Sequence, residues 1–230
     1  MRGFAECSAI REQGFAILHG VFSPEFMDRT LEDIVQLSPR RSRAGVRHAL
    51  GLDPVAKIAR CPQMITVISS VMGPASFPFR ATLFEKTMKA NWLVVWHQDT
   101  ALPLRDQQGI QGWGPWSVKE GITYAHAPAG ALSRVLALRI HFDDSTYDNG
   151  PLRVLPGTHQ LGVLRDDQVH ELTTRVAPID CVVAKGAAIA MRPLLVHASS
   201  KSHGALPRRV LHIEYAASES IAGPLHLAIA

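Results

Sequence analysis

The chain lacks any apolar run long enough to cross a bilayer. Its longest, Ala187 to Val196, is broken by Arg192 and Pro193 and falls short of the ~20 residues a membrane helix needs. Near the N-terminus, Glu6 and Arg11 interrupt what would have to be the apolar core of a secretory signal, so a cytoplasmic setting is expected. Cysteine is scarce: Cys7, Cys61 and Cys181 cannot all pair, and none has a CxxC neighbour. That excludes a disulfide framework and a cysteine-based zinc site. No sign of charge dominates, with 24 Lys and Arg against 20 Asp and Glu, and neither a nucleic-acid nor a membrane partner is expected. The one locally basic stretch, Arg40, Arg41, Arg43, Arg47 and His48, is expected to be a solvated loop. No linker or internal repeat interrupts the 230 residues, which points to one domain.

What is present is a core-forming chain, 47% hydrophobic and 19% charged. Gly14 to Gly20 predicts a short buried strand, followed by Ser23 as N-cap and Pro24 at the first helical position. A helix should run to about Leu37, with Phe26, Met27, Leu31, Ile34, Val35 and Leu37 forming its apolar face. A second helical region is expected from about Asp53 to Val71, broken or kinked at Pro62. From Pro78 onward, β-branched and aromatic segments separated by Gly, Pro, Asn and Asp predict many short strands. With helices confined to the first third, the expectation is a mainly β sandwich or jelly roll carrying an N-terminal helical layer. The divisions expected are 1–77 for the helical layer, 78–217 for the β core and 218–230 for a tail. Thr100 to Gly121, with Trp113 and Trp116, is read as a long loop that either closes over the core or packs on it.

Eleven histidines are available for chemistry. Because residues i and i+2 of a strand share a face, a His-x-Asp or His-x-Glu pair can offer an imidazole and a carboxylate to one metal ion. Three such pairs occur: His97/Asp99, His141/Asp143 and His212/Glu214. About one is expected by chance at this composition, so spacing alone does not choose among them. Position favours His97 and Asp99, which close an apolar strand and open a long loop. A third ligand must come from elsewhere, and His197, at the end of another apolar strand, is the best distant candidate. Eleven residues later, Arg208 could return a guanidinium to the same pocket, suited to capturing a carboxylate.

The segments Leu83-Phe-Glu-Lys86, Trp96-His-Gln-Asp99 and Asp148-Asn-Gly-Pro-Leu-Arg-Val-Leu-Pro-Gly-Thr-His159, with the His197 to Arg208 spacing, resemble the phytanoyl-CoA dioxygenase family. These are iron(II)- and 2-oxoglutarate-dependent oxygenases. The resemblance implies a double-stranded β-helix, a cupin-like jelly roll, with Fe(II) held by His97, Asp99 and His197. It also implies 2-oxoglutarate as co-substrate and O2 as oxidant, with release of succinate and CO2. Arg208 would anchor the co-substrate's distal carboxylate, Ser199 would add a hydroxyl to it, and Lys86 is a further candidate for that pocket. The block from Asn149 to His159 is expected to be structural, and His159 not a ligand. Halogenating relatives lack the carboxylate ligand, so Asp99 favours hydroxylation or a related oxidation of a small organic or lipid-like substrate. The segments Gly112 to Gly121 and Tyr124 to Ala129 depart from the acyl-CoA enzyme's pattern. A cupin-type metal enzyme without 2-oxoglutarate and a non-catalytic binding module are the alternatives; oligomeric state is left open.

Overall fold

A computed structural model describes residues 2–37 and 45–230. The sequence-predicted basic cluster therefore falls partly outside the described residues, at Arg40, Arg41 and Arg43. In chain order the N-terminal part holds α1 (Arg2–Glu12), β1 (Phe15–Leu18), α2 (Pro24–Leu37), β2 (Gly45–Val46), α3 (Asp53–Ala59) and α4 (Pro62–Met72). Local chemistry sets these boundaries. The Ser23 hydroxyl accepts a hydrogen bond from the Phe26 N–H at 3.2 Å, capping α2 as predicted. Pro62 starts α4 rather than lying inside it, which divides the second helical region in two. The buried face of α2 is narrower than predicted: Met27, Leu31 and Ile34 are buried, while Phe26, Val35 and Leu37 face solvent.

The remainder holds β3 (Phe77–Lys86), β4 (Val94–His97), β5 (Ala101–Leu104), β6 (Trp116–Lys119), β7 (Ile122–His126), α5 (Ala129–Leu132), β8 (Val135–His141) and β9 (Leu152–Val154). It ends with α6 (Asp166–Arg175), β10 (Ile179–Cys181), β11 (Ala188–Met191), β12 (His197–Ser199), β13 (Arg208–Ala216), β14 (Ser220–Ala222) and β15 (Leu225–His226). Six strands make the major antiparallel sheet, in the order β1-β11-β8-β13-β3-β2, and four make the minor one, β10-β9-β12-β4. This is the mainly β, jelly-roll architecture expected, although the strands form separate sheets rather than one closed barrel.

The period of two on β13 explains how one strand serves both core and site. Leu211, Ile213 and Tyr215 join the core cluster with Met27, Ile34, Ile58 and Ile68 of the helices. Each such buried side chain contributes roughly 1.5–3 kcal/mol. Tyr215 also donates its phenol to the Ala59 carbonyl at 2.9 Å, tying the sheet to α3. Arg208, Val210, His212 and Glu214 occupy the other face, toward the minor sheet.

Three expectations are corrected. Helices are not confined to the first third, because α6 lies between β9 and β10. Its buried Val169 packs with Leu155 and Val196 and Leu172 packs beside it, so the ten-residue helix offered only a two-residue apolar stripe to read. Thr100 to Gly121 is not one long loop. It contains β5 and β6, which flank β7 in a three-stranded sheet, and Trp113 packs against Phe79, Leu102 and Leu104 in the cluster beneath it. Residues 218–230 are likewise more than a tail: Leu227 bridges Leu104, and Ala230 exchanges backbone hydrogen bonds with Phe79 and Ala81. Among the described residues no helix is long and apolar enough to cross a membrane.

Candidate metal centre

The edge strand β4 pairs antiparallel with β12, and the register sets His97 directly opposite His197. Their ring centroids are 4.3 Å apart. Asp99 lies just past the end of β4, where its N–H donates to the Pro193 carbonyl at 2.9 Å. Gln98, pointing the other way, donates its amide to the Leu194 and Gly162 carbonyls and accepts from the Leu164 N–H. That three-way staple holds the turn that brings Asp99 back beside the two imidazoles.

The donor set suits a divalent cation. His97 Nδ1 lies 2.8 Å from the Val95 carbonyl and His197 Nδ1 2.8 Å from the Leu195 carbonyl. A carbonyl only accepts, so each Nδ1 carries the proton and each Nε2 presents a lone pair. The two Nε2 atoms stand 3.6 and 3.5 Å from the Asp99 oxygens, too far for good hydrogen bonds and suitable for ligands around a shared ion. All three residues can bring one ligand atom within 4.8 Å of the others. Two imidazoles and one carboxylate match the facial triad that leaves open positions on non-haem iron.

The electrostatics agree. Burial pushes His197 down to about 4, against the pull of Asp99, so its imidazole is neutral near pH 7. Burial also acts to raise Asp99, but the neighbouring imidazoles of His197, His97 and His212 hold it well below the usual carboxylate range. A second cluster, Asp99, His212 and Glu214, has similar spacing. There the imidazole is already engaged: Nδ1 lies 3.1 Å from the Arg139 guanidinium and Nε2 3.4 Å from Glu214, which is itself paired with Arg80. It offers a metal no free imidazole lone pair. The remaining predicted pair separates, because β8 ends at His141. That ring is sealed inside with neither nitrogen partnered, while Asp143 holds Arg209 through a two-point ion pair.

A cavity of about 190 Å³ opens onto His97, Asp99 and His197, and Ser199 and Arg208 line it as well. Arg208 is buried, donating to the Asn149 carbonyl at 3.2 Å and to Ser199 Oγ at 3.1 Å. Ser199 Oγ in turn donates to the Gly150 carbonyl at 2.8 Å. Asn149 and Gly150, in the block expected to be structural, thus build the wall that holds the guanidinium. Lys86 sits behind that wall, off the cavity surface, donating to Ser199 Oγ at 2.9 Å and to the Ser200 carbonyl. His159 hydrogen-bonds the Arg11 carbonyl at 3.1 Å, far in the fold from these groups and consistent with a structural role.

Sequence reasoning missed Arg139 and Arg80, both of which line the cavity. A signal existed for Arg139: a lone charge within Val135-Leu-Ala-Leu-Arg-Ile-His141, a strand buried along its whole length, must face something polar.

The phytanoyl-CoA dioxygenase (PhyH) family model matches residues 10–210. Over 186 residues the chain is 25% identical to an L-proline trans-4-hydroxylase of Streptomyces griseoviridis, covering 70% of this chain and 62% of that enzyme. The match therefore spans less than two thirds of the relative's length. The fold is similar to AviO1 from Streptomyces viridochromogenes Tue57, with a TM-score of 0.66 and 21% identity over 93% of this chain and 94% of that one. It is also similar to EctD from S. alaskensis with bound Fe, at TM-score 0.69 and 17% identity over 92% and 75% of the two chains. A third likeness is to SnoN, a non-haem alpha-ketoglutarate-dependent epimerase of nogalamycin biosynthesis, with TM-score 0.72 and 16% identity over 94% and 80%. With two histidines and an aspartate converging on one cavity in such a fold, and the family match covering most of its length, the chain belongs to the phytanoyl-CoA dioxygenase family of iron(II)- and 2-oxoglutarate-dependent oxygenases.

Proposed function

We propose that this single-domain protein is an iron(II)- and 2-oxoglutarate-dependent dioxygenase that hydroxylates a small organic molecule. The observation that carries the reading is a buried guanidinium, Arg208, in the same cavity as three convergent metal-type donors. His97, Asp99 and His197 would hold the metal. Iron, 2-oxoglutarate and O2 together would supply the oxidation, one oxygen atom going to the substrate hydroxyl and the other to succinate as CO2 leaves.

The chain's own residues bind and orient. Arg208 offers donors in a planar fork to the distal carboxylate, and Ser199 adds a hydroxyl already held by the Gly150 carbonyl and Lys86. Phe84, Trp92, Val94 and Leu152 give the cavity an apolar wall that excludes water and strengthens those charge pairs. The protonated Nδ1 atoms fix both imidazoles so that no proton need leave Nε2 when metal binds.

A cupin-type enzyme without 2-oxoglutarate would have no use for Arg208, and a binding module would have no use for the triad. The test is conversion of 2-oxoglutarate to succinate with added Fe(II) and ascorbate, beside metal content and co-substrate binding, in the wild type and His97→Ala. Metal-dependent binding of 2-oxoglutarate that disappears in the variant is the expected result. Metal bound without any co-substrate affinity would favour the cupin alternative, and failure to bind metal would favour the module.

A further inference from the structure

The cavity carries more positive charge than the proposed chemistry uses. Three arginines, Arg80, Arg139 and Arg208, line it, and they are not equivalent. Arg80 is ion-paired with Glu214. Arg208 has the proposed co-substrate carboxylate. Asp99 and the other carboxylate of 2-oxoglutarate would balance a divalent metal.

Arg139 is left over. It is 8% exposed, and it forms no salt bridge among the described residues; the carboxylate that acts on it across the cavity is Asp99, which the metal would claim. Its Nε is buried with no hydrogen-bond partner. The contact it does make, NH1 to His212 Nδ1 at 3.1 Å, is to a neutral acceptor, because a guanidinium can only donate. His212 passes its own proton toward Glu214, whose charge Arg80 already meets. The Phe84 ring, 5.7 Å from the guanidinium carbon, supports one side of the group without neutralising it. The chain Arg80, Glu214, His212, Arg139 thus orients a guanidinium toward the metal-side cavity without an ion-pair partner of its own, and with Asp99 on the metal its charge would be unmet. A buried, unpaired charge is strongly unfavourable unless an anion joins it.

We infer that the substrate is a small carboxylic acid whose carboxylate is bound by Arg139, which makes Arg139 the specificity-determining residue of this site. The inference rests on the oxygenase reading and names its substrate class. A guanidinium fork fits a planar carboxylate better than a single hydroxyl or amide acceptor. The route of approach suits an acid as well. A neighbouring cavity of about 310 Å³ shares Arg80, Thr82, Phe84 and Asp99 with the first and carries Arg47 and Lys119 at its rim. Of the charged residues lining it, Arg47, Arg80 and Lys119 are basic and Asp99 is acidic, with Arg47 paired to Glu120 at 3.6 Å and Arg80 to Glu214, so basic groups outnumber acidic ones along this approach.

The test uses the full chain loaded with Fe(II) and 2-oxoglutarate under anaerobic conditions. Binding is read by thermal shift and by the fluorescence of Trp92, which lines the cavity. The probes are L-proline, pentanoate and benzoate, each beside its primary amide. At least one acid should bind, and more tightly than its amide by roughly tenfold or more. Arg139→Gln should remove that preference while leaving 2-oxoglutarate affinity within about threefold, and Arg139→Lys should restore part of it. Equal binding of acids and amides, or no binding of any acid, overturns the inference. So does a loss of 2-oxoglutarate affinity in Arg139→Gln, which would assign the guanidinium to the co-substrate. If Arg139→Gln fails to fold, the comparison of acid with amide on the wild type decides alone. A wild type that binds neither Fe(II) nor 2-oxoglutarate overturns the oxygenase reading itself, an outcome distinct from the others because both are measured before any probe is added.

Discussion

His97 and His197 face each other across two antiparallel strands, and each ring is locked by a 2.8 Å hydrogen bond to the carbonyl two residues before it in the chain, Val95 within β4 and Leu195 just ahead of β12. The symmetry is a consequence of the ladder. Register puts the two rings opposite, and a backbone carbonyl two residues earlier selects the same tautomer for both. Neither imidazole has to reorganise to present Nε2, while Asp99, beyond the end of β4, is placed by the Gln98 side chain and the Pro193 carbonyl.

Removing the carboxylate should therefore remove the metal without unfolding the strands. Asp99→Ala is expected to weaken binding of Mn(II), used as a stable surrogate, by more than roughly 100-fold, as followed by electron paramagnetic resonance of the free ion. The Tm of the metal-free protein should change little. Undiminished Mn(II) affinity in this variant would place the metal elsewhere.

Arg208→Ala should separate co-substrate from metal. The affinity for 2-oxoglutarate is expected to fall by roughly 10- to 100-fold, since a buried charge-assisted pair is lost, while Mn(II) affinity stays near wild type. Calorimetric titration of each ligand distinguishes the two effects. A variant that loses both equally would show that Arg208 supports the site's folding rather than the co-substrate.

Lys86 links the site to pH. Burial, with Arg208 and Arg139 nearby, pushes its pKa down to about 7 from an ordinary 10.5. Between those values the unfolded chain holds a proton that the folded chain has released, so this group makes stability rise with pH across that window. A carboxylate arriving next to Ser199 should return the proton. At pH 8, binding of 2-oxoglutarate is expected to take up a fraction of a proton, measured by calorimetry in two buffers of different ionisation enthalpy, and Lys86→Met should abolish the uptake. Equal uptake in the variant would assign the proton to another group.

Gly150 tests the wall behind Arg208. Its φ is +69°, and an added Cβ would stand 2.3 Å from the Ser200 carbonyl oxygen. Gly150→Ala should cost about 1–3 kcal/mol and lower the Tm by several degrees. Gly20 has a similar φ of +62° with nothing near its Cβ position, so Gly20→Ala should cost less. The difference between the two melts isolates the close contact from backbone strain, and equal costs would remove Gly150 from the wall.

Much of the fold was legible because its signals are local. Ser23 and Pro24 mark a helix start within two residues, and β-branched runs mark strands β3, β7, β8 and β13 closely. The strands between Thr100 and Gly121 were not, because β6 reads Trp-Ser-Val-Lys between glycines and is held mainly by its pairing with β7. The helix α6 escaped for a similar reason, being held by few apolar contacts.

What composition and spacing established is the inventory: two histidines, an aspartate and an arginine at strand ends, and a family likeness built on the blocks around them. Position already favoured His97 and Asp99 among the His-x-acid pairs, and distance through space shows which pair converges with a third donor on a cavity. Pairs of identical spacing met opposite fates: one opened its lone pairs to a cavity, one was split by the end of its strand, and one was consumed by two arginines. Alternation along a strand says that two side chains share a face, but only packing says what that face meets, because charge is balanced by neighbours that the chain order keeps far apart.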